Sequence, residues 1–230
     1  MELAKPSLSI CAVDIGNRSD NTARVIETLR AADIVFVESF REGSTLLKHF
    51  DMKKEMLEVS EHTTAAEIAS YAERIAVEKL AAALISDCGT PLIEDPGRTL
   101  VAAARELGIP VLPVPGVSSI TAALMTAPFP VKKFFYAGLL PRERKERDIE
   151  LRKLASLPYP VVILDAPYRF NDVLAAVARA FGNSRDTLIG YDLTMESETV
   201  FTGTLGEALA AYGGTKMKDR EFVIVVNGGE

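Results

Sequence analysis

Leu80-Ala81-Ala82-Ala83-Leu84-Ile85 is apolar throughout and stops abruptly at Ser86-Asp87-Cys88-Gly89-Thr90-Pro91, with Glu94-Asp95-Pro96-Gly97 close behind. A short apolar run bounded by turn formers is the pattern of a buried strand, and the polar cluster is too rich in Gly and Pro to extend it. Upstream, Thr64-Ala65-Ala66-Glu67 matches a capping box, and Ile68, Ala72 and Ile75 share one helical face. Downstream, a helix from about Thr99 to Leu107 closes at Gly108, and Ile109 to Val114 reads as the next strand before Pro115-Gly116. Strands alternating with helices in this way predict βαβ units around a mainly parallel sheet.

The same pattern extends toward the N-terminus. Leu8 to Val13 is a strand candidate, Asn21 or Thr22 caps a helix carrying Val25, Ile26, Leu29 and Ala32, and Ile34 to Val37 is a second strand. Phe40 to Val59 shows no clear period. Beyond Pro115-Gly116, a short helix over Ile120 to Met125 is followed by Pro128 and Pro130, which cannot continue it. The chain is therefore expected to form an α/β fold of two domains: residues 1–114, with a mainly parallel sheet, and residues 115–230, which include a linker over 115–131.

In the second half, strands are expected at Phe134 to Leu139, Val161 to Leu164, Thr187 to Asp192, Val200 to Thr204 and Phe222 to Val226. Helices are expected at Glu143 to Leu154, from Asn171 as cap through Phe181, and at Gly206 to Tyr212. Strands this closely spaced imply some antiparallel pairing and a mixed sheet.

Composition narrows the function classes. With 230 residues, 48% hydrophobic and 25% charged, the chain is an ordinary globular protein, able to bury a core without staples. No apolar run approaches the roughly 20 residues of a membrane helix, and no basic flank precedes an apolar signal core, so a cytoplasmic protein is expected. Cys11 and Cys88 are far apart and the only histidines are His49 and His62, so neither a disulfide framework nor a zinc spacing exists and no metal is expected. A net charge of −6 argues against a protein coated for nucleic acid, yet from Lys132 to Lys153 eight Lys or Arg stand against four Asp or Glu. The net charge thus averages a basic segment against an acidic remainder.

In an open α/β sheet ligands bind beyond the carboxyl ends of the strands, so the turns there are the candidate sites. Asp14-Ile15-Gly16-Asn17-Arg18-Ser19-Asp20 has a single glycine and no Gly-Lys-Ser/Thr, which excludes both the dinucleotide fingerprint and the P-loop. Ser86 to Pro91 offers backbone groups and hydroxyls without Lys or Arg, which suits an uncharged or zwitterionic ligand better than a triphosphate. Cys88 lacks a neighbouring His to activate it and reads as a small buried thiol. Ser118 or Ser119 can cap the helix that follows Pro115-Gly116. Asp165-Ala166-Pro167-Tyr168-Arg169 brings acid, aromatic and base to another strand end.

In this order the turns resemble the tetrapyrrole methylase family, the class III S-adenosylmethionine-dependent methyltransferases, and within it the branch that 2′-O-methylates RNA of the small ribosomal subunit. The resemblance rests on Ile15-Gly16-Asn17 with Asp20, Glu38 with Arg41, Ser86 to Pro91, Asp95-Pro96-Gly97, Pro115-Gly116 with Ser118, Gly138 with Leu140-Pro141-Arg142, Glu146-Arg147, Pro167 with Arg169, Leu193-Thr194 and Gly203-Thr204-Leu205. It implies S-adenosyl-L-methionine as cofactor in a cleft between two domains, and a homodimer. The implied cofactor contacts are Ile15, Gly16, Ser86, Asp87, Cys88, Gly89, Thr90, Pro91, Pro115, Gly116, Ser118, Ser119, Pro167, Gly203 and Thr204. The implied partner is ribosomal RNA or the small ribosomal subunit, met by Arg142, Arg144, Lys145 and Arg147. The chain departs from the branch's pattern on the substrate side, at Val13-Asp14, Ser39-Phe40, Ser60 to Thr63 and Asp165 to Arg169.

Methyl transfer from a sulfonium is an in-line displacement that needs alignment and a base, not a nucleophile or a metal. Glu38, Asp14, Asp87 and His62 are the candidates for that base, with Glu38 preferred as the catalytic residue and Asp87 read as a structural or cofactor-contacting residue, since acids at such strand ends most often hold loop backbone. Methylation of a porphyrin or corrin ring, and a cofactor-binding module without turnover, are the competing readings. For Arg142 to Arg147 the competing reading is a solvated helix face with an i,i+4 pair such as Glu143 to Arg147.

Overall fold

A computed structural model describes residues 5–215 and 220–229. The chain divides into two compact units, Met1–Ser118 and Ser119–Glu230. In the first, five strands, β1 (Ser7–Cys11), β2 (Ile34–Val37), β3 (Glu55–Glu58), β4 (Ala81–Leu84) and β5 (Val111–Val114), form an all-parallel sheet in the order β3-β2-β4-β1-β5. Four helices, α1 (Ala23–Ala31), α2 (Phe40–His49), α3 (Ala65–Val77) and α4 (Arg98–Glu106), make the crossovers. Side chains alternate across each strand, so β2 sends Val35 and Val37 into one core and Ile34 and Phe36 into the other. Val25 and Leu29 of α1 and Leu46 and Leu47 of α2 fill the first core. Ile68, Ala72 and Ile75 of α3 and Leu100 and Ala104 of α4 fill the second. Both faces are thus covered, as a parallel sheet requires.

The N-caps explain where the helices begin. Thr22 accepts from Val25 N–H, and Thr64 with Glu67 forms the expected capping box. The unassigned stretch Phe40 to Val59 contains α2 and β3, and its start carries a signal. Ser39-Phe40-Arg41-Glu42 has capping-box spacing, and Ser39 accepts from Glu42 N–H. Gly43 then lets α2 lie against β2, because a Cβ there would come within 2.5 Å of Val37 Cγ1.

The chain leaves β1 for α1 on one face and leaves the adjacent strand β4 for α4 on the other. That is the switch point of a doubly wound sheet, where the two outgoing loops part and open a crevice.

In the second unit, α5 (Ser119–Leu124) precedes β6 (Phe135–Leu139), α6 (Arg144–Ala155), β7 (Val161–Leu164), α7 (Phe170–Phe181), β8 (Asp186–Tyr191), β9 (Thr199–Thr204), α8 (Leu205–Tyr212) and β10 (Phe222–Val226). The sheet order is β6-β7-β10-β8-β9, with β6 and β7 parallel and the other neighbours antiparallel. The mixed sheet expected from the strand spacing is what forms. Phe170, Tyr191 and Phe222 meet edge to face at the centre of its core. Asn171 does not cap α7: the helix begins at Phe170, and the Asn171 amide instead donates to Thr215 C=O and accepts from Gly214 N–H.

Candidate active site

The loops leaving β1, β4 and β5 are laced to one another. Val13 N–H donates to Gly89 C=O and Gly89 N–H donates to Asp14 C=O, at 2.9 and 3.0 Å, so β1 extends past its end onto the loop that follows β4. Ala12 N–H reaches Val114 C=O, and Thr90 Oγ1 donates to Val117 C=O at 2.9 Å. Gly89 has φ +72°, and a Cβ there would sit 3.2 Å from Ile15 Cγ2. Gly116 is more tightly placed still, since a Cβ would overlap Ala12 C=O at 2.2 Å. Gly116 is required by packing between these loops, and Gly89 by its left-handed backbone. The structure therefore brings Ile15, Gly16, the Ser86–Pro91 segment, Pro115 and Gly116 to one edge of the first sheet.

Asp14 anchors this edge. Its side chain is almost completely buried and accepts from Asn21 Nδ2 and Arg18 Nη1, both at 2.7 Å, and from Gly16 N–H at 3.0 Å. Burial opposes its ionisation, but the Asn21, Arg18 and Gly16 hydrogen bonds outweigh burial and hold its pKa below the ordinary value. Asp14 is thus committed to holding the loop and is not placed as a base.

A cavity of about 760 Å³ opens beside the ends of β2, β3 and β4, lined by Glu38, Ser39, Ser60 to Thr63, Asp87 and Glu94 to Thr99. Asp87 N–H donates to Glu38 Oε2 at 3.1 Å, while Ser39 N–H and Oγ donate to Asp87 Oδ1 at 3.1 and 2.9 Å. Asp87 thereby ties the end of β4 to the start of α2, the backbone-holding role expected of it. Glu38 is half-buried. Its burial, followed by the charge of Asp87, pushes its pKa above the ordinary value against the opposing Asp87 N–H. Asp95 is pushed up to about 6, first by burial and then by Glu38, with Asp87 and Glu94 adding to the rise and Ser86 opposing it. A carboxylate with a raised pKa is a stronger proton acceptor, and this cavity concentrates two of them. His62 lines the same cavity but is exposed, 3.6 Å from Glu61.

Asp95 escaped the sequence reading as a site residue, although its motif was plain. The signal was available in Asp87 and Asp95 bracketing one Gly/Pro-rich turn. Cys88 is exposed on that turn, not buried as its small neighbours suggested, and the buried thiol is Cys11, pushed up to about 12 by burial.

In the second unit the basic segment divides in two. Arg142, Arg144 and Lys145 are exposed, and Arg144 pairs loosely with Asp148 at 3.9 Å. Arg147 is only 8% exposed and turns inward, its Nη1 donating to Pro141 and Arg142 C=O, so the expected phosphate contact and the Glu143 pair are both replaced by a structural role. Glu143 instead caps α6 through Glu146 N–H. Arg169 donates to Leu140 and Pro141 C=O and pairs with Asp165 at 3.0 Å. Two arginines thus hold the Leu140–Arg142 turn from beneath.

The remaining implied cofactor contacts have local explanations. Pro167 opens a 3-10 turn after β7. Thr204 caps α8 in a capping box with Glu207, and a Cβ at Gly203 would sit 2.8 Å from Glu207 Oε2, so this pair is accounted for by the helix start. Ser118 closes the first unit and Ser119 is the first residue of α5.

Residues 8–209 match the family described as Tetrapyrrole (Corrin/Porphyrin) Methylases. The chain belongs to the tetrapyrrole methylase family. Curated relatives of this methylase carry the name Ribosomal RNA small subunit methyltransferase I: one from Leptospira borgpetersenii is 39% identical over 88% of this chain and 81% of its own length. Another, from Mesorhizobium japonicum, is 36% identical over 98% of this chain and 76% of its own length. The fold is that of the methyltransferase CobJ, with a TM-score of 0.70 at 16% identity over 97% of this chain and 94% of that one. Diphthine synthase superposes with a TM-score of 0.72 at 15% identity, over 96% of this chain and 89% of that one. The methylase is accordingly a methyltransferase, with a parallel sheet in its first unit and a mixed sheet in its second. Among the described residues no helix is long and apolar enough to cross a membrane, and no cluster of His, Cys, Asp or Glu could hold a metal ion.

Proposed function

We propose that this methyltransferase uses S-adenosyl-L-methionine to methylate a ribose 2′-oxygen in RNA of the small ribosomal subunit, as a cytoplasmic homodimer. The observation that carries the reading is the name shared by relatives 36–39% identical over nearly the whole chain. The cofactor fits the edge described above. Its amino-acid part is zwitterionic and its sulfonium cationic, and the Ser86–Pro91 loop offers backbone groups beside the Glu38, Asp87 and Asp95 carboxyls, with no Lys or Arg in the loop to attract phosphate. Ile15, Gly16 and Ser86 to Pro91 would hold it, with Pro115, Gly116 and Ser118 closing the same edge.

When bound, the cofactor supplies an electrophilic methyl group on a good leaving group. For its oxygen to take the methyl group, a ribose hydroxyl would have to give up its proton to a residue of this chain. Glu38, with its raised pKa and one oxygen fixed by Asp87 N–H, is the group we assign to take that proton. Exposed Arg142, Arg144 and Lys145 would meet RNA phosphates, held outward by the turn that Arg147 and Arg169 support.

Labelled cofactor incubated with small ribosomal subunits tests the reading. Label in alkali-resistant dinucleotides supports it; no label in any RNA fraction overturns it. Porphyrin or corrin methylation is favoured only by the family's description, and would put the label in an added tetrapyrrole instead. Tight cofactor binding without turnover on either acceptor would identify a binding module. Light scattering tests the dimer. Replacing Arg142, Arg144 and Lys145 together by Ala should weaken RNA binding and reduce the salt slope by about three charges, leaving cofactor affinity unchanged.

A further inference from the structure

Tyr168 is 64% exposed, the most exposed aromatic side chain among the described residues, and its ring stacks on no other ring there. It is nevertheless firmly placed. Pro167 restricts the backbone before it, and Ala166 N–H donates to Asp165 Oδ1 at 2.8 Å. Arg169, directly after it, pairs with the same carboxyl at 3.0 Å and donates to Leu140 and Pro141 C=O at 3.0 and 2.9 Å. β6 and β7 are parallel, with Leu139 beside Leu164, so the Leu140–Arg142 turn and the 3-10 turn of Tyr168 leave the same end of neighbouring strands. Arg169 joins these two turns. The first carries exposed Arg142, with exposed Arg144 and Lys145 next along the chain. Of the acids in that segment, Glu143 is turned to Glu146 N–H, Asp148 lies 3.9 Å from Arg144, and Glu146 is exposed. A braced aromatic ring left in solvent therefore stands on the turn beside a set of cations.

We propose that Tyr168 is a stacking platform for an unpaired base of RNA, with Arg142 on the neighbouring turn taking a phosphate of the same strand. This rests on the reading of the acceptor as RNA and deepens it. The cations from Arg142 to Lys145 alone would hold any run of phosphates, whereas a ring selects a nucleotide whose base has left its helix. Duplex RNA keeps its bases stacked inside and offers the ring nothing. The two parts differ in their response to salt: phosphate contacts release counterions and weaken as salt rises, while stacking carries no charge. Few degrees of freedom are lost on binding, because a tyrosine side chain has only two rotatable bonds and its backbone is already fixed by Pro167 and by the Arg169 contacts.

The chain contains no tryptophan, so Tyr168→Trp places a single fluorescent probe at the platform. Its emission should be quenched by single-stranded fragments of small-subunit ribosomal RNA and left unchanged by duplex RNA of the same length. Affinity for the single-stranded fragments supplies the second arm. Tyr168→Ala should bind them about tenfold more weakly with the salt slope of the wild type, and Tyr168→Phe should bind as the wild type does. Arg142→Ala should instead reduce the slope by about one charge. Tyr168 is exposed, so its truncation removes no core contact and a loss of binding reports recognition, not unfolding. Wild-type affinity in Tyr168→Ala, or equal quenching by duplex RNA, overturns the platform while the RNA reading stands on the wild type's own binding. A wild type that binds no RNA at any salt concentration overturns both. Quenching of the Tyr168→Trp protein by uroporphyrin and not by RNA would seat a macrocycle on the ring and likewise overturns the proposal.

Discussion

The loop after β1 and the loop after β4 leave adjacent strands of one sheet, yet their aspartates are pushed in opposite directions. Asp14 is the more deeply buried of the two and its pKa is lowered, because Asn21, Arg18 and Gly16 all donate to it. Asp95 is only partly buried and its pKa is raised, because beyond burial its neighbours Glu38, Asp87 and Glu94 are themselves acids. Burial alone does not rank these groups; the donors around each carboxyl do. A carboxylate surrounded by donors is scaffold. One surrounded by acids is poised to exchange a proton.

The contrast is broken most severely by Asp14→Ala. Removing the carboxylate leaves three donors without their acceptor, Arg18 among them, and should cost about 3 kcal/mol in chemical denaturation. A loss below about 1 kcal/mol would mean the loop after β1 is not held this way. Gly116→Ala comes next, because its Cβ would overlap Ala12 C=O at 2.2 Å and the strand-end pairing would have to shift. A loss of about 2 kcal/mol is expected from the thermal midpoint. Asp95→Asn should have the smallest effect and the opposite sign, stabilising the protein at neutral pH by about 1 kcal/mol once solvent screening is allowed for.

The pH dependence of stability sharpens the same comparison. The lowered pKa of Asp14 means that its contribution is present above the ordinary carboxylate range and is lost as the pH falls through its folded value. For Asp95 the folded state binds its proton more tightly than the unfolded chain. Its contribution is therefore most favourable below the ordinary value of 3.8 and declines as the pH rises to about 6. Denaturation midpoints between these values should fall with pH less steeply in Asp95→Asn than in the wild type. An unchanged slope would place the carboxyl outside the acid cluster.

Much of this was legible in the residues. Strand runs such as Ile34 to Val37 and the Thr64–Glu67 capping box act through neighbours in sequence, so they are visible there. Phe40 to Val59 was opaque because α2 buries only Gly43, Leu46 and Leu47, too few for a period, and Gly43 serves contact with β2, not helix propensity. Arg147 was misjudged for a related reason. A charged residue in a charged run looks solvated until the fold supplies the Pro141 and Arg142 carbonyls to receive it. The turns after β1, β4 and β5 could each be named, but the bonds of Gly89 to Val13 and Asp14, and of Thr90 to Val117, join positions remote in sequence. The acid cluster depends on the same remoteness, since Glu38, Asp87 and Asp95 are neighbours only because β2 and β4 pair.

The most direct test of the carboxyl cavity as the catalytic centre is the single-turnover rate of methyl transfer to small-subunit RNA, followed across pH in the wild type and in Glu38→Gln. The wild-type rate should rise with pH through the elevated pKa of Glu38 and then level off. Glu38→Gln should be slower by about a hundredfold or more at saturating cofactor and lack that rise. A Glu38→Gln protein that transfers methyl at the wild-type rate with the wild-type pH profile would contradict the assignment.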